Sequence, residues 1–201
     1  MATATTAAPA QAPPLRLSVP DSIVPLKALP LVVAVIGGLI ASIATNSIWA
    51  LNFYHVAGGG IWTALDLFLG LVLGPIMGRL SPPARAELSS RLMPALLVIF
   101  PTVVTMTLGS GFQLARYFGF LNTSYDRHGY VVASFIVVGI MATIAIGILE
   151  PANLAVLFEM RKPQPNFELI GKLMRRFIYT AGITGVMQIA TLIIMTRLPT
   201  P

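Results

Sequence analysis

Five long apolar stretches, separated by short polar breaks, set the pattern of this chain. A helix needs about 20 apolar residues to cross roughly 30 Å of hydrocarbon. The stretches over 29–46, 47–77, 92–114, 130–158 and 173–196 approach or exceed that length. They predict an all-α integral membrane bundle of five spans occupying residues 29–197. The first two abut at Thr45-Asn46-Ser47, and four spans remain if residues 29–54 and 55–77 do not make two crossings. The second and fourth are longer than a crossing needs, which predicts tilt or a protruding end. Residues 1–28 are Ala/Thr/Pro-rich, polar up to Ser22, and read as a disordered tail. They do not read as a secretory signal: Arg16 and Lys27 come late, and no clear cleavage site follows.

Composition strengthens the membrane reading. Of the 201 residues 56% are hydrophobic and only 10% are charged, against about 25% charged in an average soluble domain. The formal charge of +6 invites a nucleic-acid partner. The basic residues, however, sit beside apolar segments and form no basic face with interleaved aromatics, so a nucleic-acid role is set aside. With no cysteine in the chain, disulfides, thiolate metal sites and cysteine nucleophiles are excluded.

The basic residues also predict an orientation. With five spans, the tail and the 78–91 and 159–172 loops share one side. That side holds ten basic residues: Arg16, Lys27, Arg79, Arg85, Arg91, Arg161, Lys162, Lys172, Arg175 and Arg176. The other side holds three, Arg116, Arg127 and Arg197. Basic loops stay cytoplasmic, so the N-terminus is expected inside. His55, His128, Arg116 and Arg127 then gather at the outer end.

Ionisable groups at membrane depth usually face a bundle interior or a site. The second stretch carries two, His55 and Asp66. Counted along a helix from His55, Gly59, Trp62, Asp66 and Gly70 share its face. That face is small or polar, unlike Leu67, Phe68, Leu71 and Val72 around it, and is expected to point inward. Gly58, Gly59 and the Gly70-x-x-x-Gly74 pair let a helix or a flat ligand come close. The simpler reading of His55 is an interhelical hydrogen bond. The sharper one is a ligand to haem iron or copper, with glycine making room for a porphyrin. Arg116 would then pair with a propionate, and His128, Met106 or Met141 are the candidates for a second axial ligand. A copper reading uses His55 and His128. Asp66 reads as a protonated carboxyl bonded to Thr63, Thr102 or Thr105, or as a proton-relay group. Pro151 frees a carbonyl one turn back and kinks its helix, and Glu150 reads as an interfacial anchor or a partner for Arg175.

The chain carries no nucleotide-binding glycine pattern, no zinc spacing and no serine elbow, and its outer loops are too short for a catalytic domain. No catalytic residue is named on these grounds.

The run His55-x-x-Gly58-x-x-x-Trp62, followed by Gly74-Pro75-Ile76-Met77-Gly78-Arg79, resembles a loose group of small polytopic membrane proteins. These are the CopD-type copper-resistance membrane domains, the HemJ-type protoporphyrinogen oxidases and the membrane domains of some bacterial urate oxidases. Arg91, Pro101, Thr105 and Gly109 in the third span, and the span after Lys172-Leu173-Met174-Arg175-Arg176, extend the resemblance over residues 47–197. Thr63-Ala64-Leu65-Asp66 stands where HemJ-type sequences carry a glycine. The resemblance implies a bacterial inner-membrane protein. It implies haem b held by His55 with Trp62 packing against it, or copper handling, and an association with other redox subunits. A third expectation is a non-catalytic anchor or assembly subunit whose small-residue face docks a partner's helices.

Overall fold

The structure, a computed structural model, describes residues 23–198. Five helices in it are long and apolar enough to cross a membrane. They are α1 (Leu29–Ala44, entered through a 3-10 turn at Leu26–Ala28), α2 (Ile48–Arg79), α3 (Pro82–Tyr117), α4 (His128–Met160) and α5 (Phe167–Met195). The expected tail lies outside the described residues as far as residue 22.

The expected breaks are present but shorter. Asn46 turns α1 into α2 with a left-handed backbone at φ 48°, a conformation asparagine tolerates better than most side chains. The loop expected over 78–91 shrinks to Leu80-Ser81, because α3 begins ten residues before the apolar stretch does. The reason is local. Ser81 is extended, Pro82 and Pro83 suit a first turn, and Ala84–Leu88 favour helix. These added turns bury Ala86, Ser89 and Ser90, a face too mixed to register as a span. Likewise α5 starts at Phe167, where the Asn166 side chain accepts a hydrogen bond from the Leu169 amide.

Short connections make successive helices antiparallel. α5 packs on α2, α3 and α4, whereas α1 lies to one side against α2 and α3. The core runs through Trp62, Leu69, Met93, Phe100, Phe177 and Ile178, with Phe100 and Phe177 in edge-to-face contact at 6.1 Å. The outer surface is apolar: Leu31, Val33, Ile40, Leu71, Ile136, Ile146, Ile183 and Val186 are all exposed. Ser89, Ser90, Ser110, Thr184, Asp66, Asn153 and Gln188 are buried instead. Water would not stabilise such a surface; lipid does.

Two helices are interrupted. A π-helical stretch spans Phe68–Leu73 in α2 and another Ala145–Leu149 in α4. Each ends just before a proline, Pro75 and Pro151. Proline has no N–H to bond one turn back, and its ring crowds that carbonyl; the wider turn relieves both. The effect expected at Pro151 alone therefore operates twice. Pro94 and Pro101 sit inside α3 without such a widening.

Candidate functional site

The stripe His55, Gly59, Trp62, Asp66, Gly70 does face inward, but two different helices cover its two halves. Toward the start of α2 the neighbour is α3. A Cβ on Gly58 would stand 2.6 Å from the Thr107 hydroxyl, and one on Gly59 would stand 3.6 Å from the Thr107 methyl. A Cβ on Gly111 would stand 2.5 Å from Cε1 and 2.6 Å from Nδ1 of His55. The imidazole thus lies against the bare Gly111 backbone, and glycine at all these positions lets α2 and α3 close together.

His55 Nδ1 is 2.9 Å from the main-chain carbonyl of Thr107. A carbonyl only accepts, so Nδ1 carries the proton and donates it. The neutral ring then keeps its lone pair on Nε2, which no described group engages. Nε2 is also set farther from α3, at 3.5 Å from the same virtual Cβ on Gly111.

Toward the end of α2 the neighbour is α5. A Cβ on Gly70 would run into the Gly182 backbone. One on Gly74 would meet Ile178 at 3.0 Å, and one on Gly185 would meet the backbone of Asp66 and Leu67 at 3.1–3.2 Å. Here two backbones touch. Asp66 is fully buried at this contact, flanked by the side chains of Trp62 and Thr184. Neither carboxylate oxygen closes a hydrogen bond, and nor does the Trp62 indole N–H. Thr184 directs its hydroxyl to the Ala181 and Thr180 carbonyls at 2.9 and 3.2 Å. The expected partners are elsewhere: Thr63 donates to Gly59, Thr102 donates to Val98, and Thr105 is exposed. Gln188, one turn beyond Thr184, has an unpaired buried amide nitrogen as well.

The remaining expected residues fall in several places. Arg116 is exposed in the last turn of α3, roughly 7 Å along the axis beyond Gly111. His128 opens α4 with Nδ1 3.4 Å from the Phe120 carbonyl. Arg127 bonds the Arg197 carbonyl, joining the start of α4 to the end of α5. Gln113 donates to Asn46 at 2.7 Å, which brings the α1–α2 turn to the same end. His55, His128, Arg116, Arg127 and Arg197 therefore do belong to one end of the bundle. Glu150 is half-buried and makes no ion pair with Arg175; ion pairs among the described residues include Arg91–Glu87, Lys162–Glu159 and Lys172–Glu168. Among the described residues no three His, Cys, Asp or Glu side chains converge to hold a metal ion.

Sequence reasoning missed Thr107, Gly111 and Thr184. The small-residue clusters Gly109-Ser110-Gly111 and Gly182-Ile183-Thr184-Gly185 were the available signal, marking where α2 is approached closely.

Fold and surface define the class: a multi-pass, all-α membrane protein in contact with lipid. Comparison with known families, with curated proteins and with solved structures gives no match.

Proposed function

We propose that this chain is a membrane redox subunit that holds a b-type haem through Nε2 of His55. The observation that carries this reading is the hydrogen bond from Nδ1 to the Thr107 carbonyl. Histidines that ligate metals almost always donate their other ring N–H to a carbonyl or carboxylate, which fixes the tautomer and the ring plane. The donor chemistry therefore fits. The slot expected between the α2 glycines and a flat ligand does not, because α3 fills it at Thr107. The group would lie on the Nε2 side of the ring, away from α3. Trp62 is turned into the core beside Asp66, so the packing role that the resemblance implied for it is not part of this proposal. Arg116 remains the group for a propionate. A bound haem would supply one-electron transfer; the chain's own residues orient the ligand and exclude water around it. The basic end, with Arg79, Arg85, Arg161, Lys162, Arg175 and Arg176, is assigned to the cytoplasm of a bacterial inner membrane.

A second reading rests on the same bond. His55 would be an interhelical clamp and the protein a structural subunit. The face that this reading offers to a partner's helices is, however, covered by α3 and α5 of the chain itself. Absorbance of the detergent-purified chain, oxidised and then dithionite-reduced, tests the proposal. A Soret band with sharp reduced α and β bands, lost in His55→Ala, is expected. A featureless visible region from cells supplied with haem overturns it.

A further inference from the structure

A cavity of about 420 Å³ opens at the basic end, between the last turns of α2 and the first turns of α5. Gly70, Gly74 and Gly78 line one wall, and Gly171 helps to form the other. Two guanidiniums border it, Arg85 and Arg175. No acidic side chain lines it.

The two arginines differ in how they are held. Arg85 is half-buried and closes the end of α2, with Nε donating to Met77 at 3.0 Å and Nη2 to Leu80 at 3.1 Å. Its Nη1 lies against Gly171, where a Cβ would approach it at 3.1 Å. Nη1 has no described acceptor. Arg175 is exposed and makes no ion pair among the described residues. Two positive groups thus face one opening that contains nothing negative.

Gly70 to Gly78 is eight residues, about 12 Å along the helix axis. The cavity therefore starts at the charged end and continues into the apolar zone. Its side is open, since Pro75, Gly78, Arg175 and Tyr179 are exposed. A free inorganic anion would use the guanidiniums and have no need of the apolar extension. A lipid uses both: its phosphate pairs with arginine, and its chain lies against the glycines and the apolar side chains of Pro75, Ile178 and Tyr179.

We infer that this groove holds an acidic phospholipid, with the headgroup phosphate between Arg85 and Arg175 and an acyl chain running along Gly78, Gly74 and Gly70. The site is independent of His55.

The test uses the full chain purified in mild detergent with equal phosphatidylglycerol and phosphatidylcholine, with retained lipid read by native mass spectrometry. Phosphatidylglycerol should be retained in preference. Arg175→Gln should lower that preference about five-fold, the effect of one interfacial charge. Gly78→Leu should also lower it, since Gly78 lines the groove and a Cβ there meets nothing within 4 Å, so bulk is added at its wall without strain. Equal retention of the two lipids overturns the inference, as does a preference unchanged in both variants. Retention of inorganic phosphate with no lipid overturns it in favour of a soluble anion. Gly60→Leu, also in open space on α2 but away from the groove, should keep the preference of the parent chain.

Discussion

The two halves of the α2 stripe meet opposite outcomes. His55, near the start of the helix, has its ring N–H satisfied by a main-chain carbonyl of α3. Asp66, three turns further on and more deeply buried, has the Trp62 and Thr184 side chains beside it, but neither closes a well-aligned hydrogen bond. The difference follows from what a helix offers to its neighbours. In a helix interior each carbonyl is already bonded once and still has a second lone pair, whereas each N–H is spent. A side chain that donates, such as His55, can use the spare lone pair of a carbonyl on an adjacent helix where its position allows. A carboxylate needs donors, and only side chains can supply them. Thr184 has spent its hydroxyl on its own helix, and the Trp62 N–H is not aligned to an acceptor. Position decides as well, since the buried nitrogens of Trp62, Asn153 and Gln188 are donors and close no hydrogen bond either.

The largest effect should come from breaking the second contact. Gly70→Leu forces a side chain into the Gly182 backbone, which cannot yield as a flexible side chain would. A loss of about 3 kcal/mol or more is expected, read as a drop in thermal midpoint in detergent. Gly60→Ala on the same helix meets nothing within 4 Å. It should be neutral or slightly stabilising. If both variants behave alike, the backbone contact is not what holds α2 to α5.

At the first contact, His55→Ala removes a hydrogen bond and leaves a void against Gly111. About 2 kcal/mol of stability should be lost, measured by the same unfolding midpoint. Full retention of stability would show that the α2–α3 seam does not depend on this ring.

The comparison is sharpest at Asp66→Asn. Removing one partner from a buried pair normally destabilises, but asparagine keeps an acceptor oxygen for the neighbouring Trp62 N–H and Thr184 hydroxyl. The amide gains an N–H₂ that can reach a helical carbonyl, so stability should rise by about 1 kcal/mol. A marked loss would mean that the carboxyl is held by a donor after all. The smallest effect is expected for Arg127→Ala, which releases an exposed link to the Arg197 carbonyl and should change stability by less than about 1 kcal/mol.

The five helices were legible because hydropathy dominates where backbone groups cannot meet water. The inward stripe was legible for the same reason: histidine and aspartate are costly to expose to lipid. The helix ends were less so. Hydropathy finds the apolar portion of a helix, while the start of α3 is set by Ser81-Pro82-Pro83 and an amphipathic turn. Partners across the bundle were not legible at all. Thr63, Thr102 and Thr105 looked available to Asp66, yet helical threonines bond back to their own carbonyls or face outward. Which helix covers which half of α2 depends on packing that no single segment encodes. The Arg85 cap and its groove likewise need α2, α3 and α5 together.

The haem proposal and the clamp reading part at one substitution, His55→Gln. Glutamine keeps an N–H donor for the Thr107 carbonyl and offers iron no imidazole nitrogen. The decisive measurement is the reduced-minus-oxidised spectrum of the purified parent chain and of this variant, at matched thermal stability. The account predicts a haem b difference spectrum in the parent chain and its loss in a variant that remains folded. A parent chain without haem absorbance, or a variant that keeps all of it, would contradict the assignment of His55 Nε2 as the ligand.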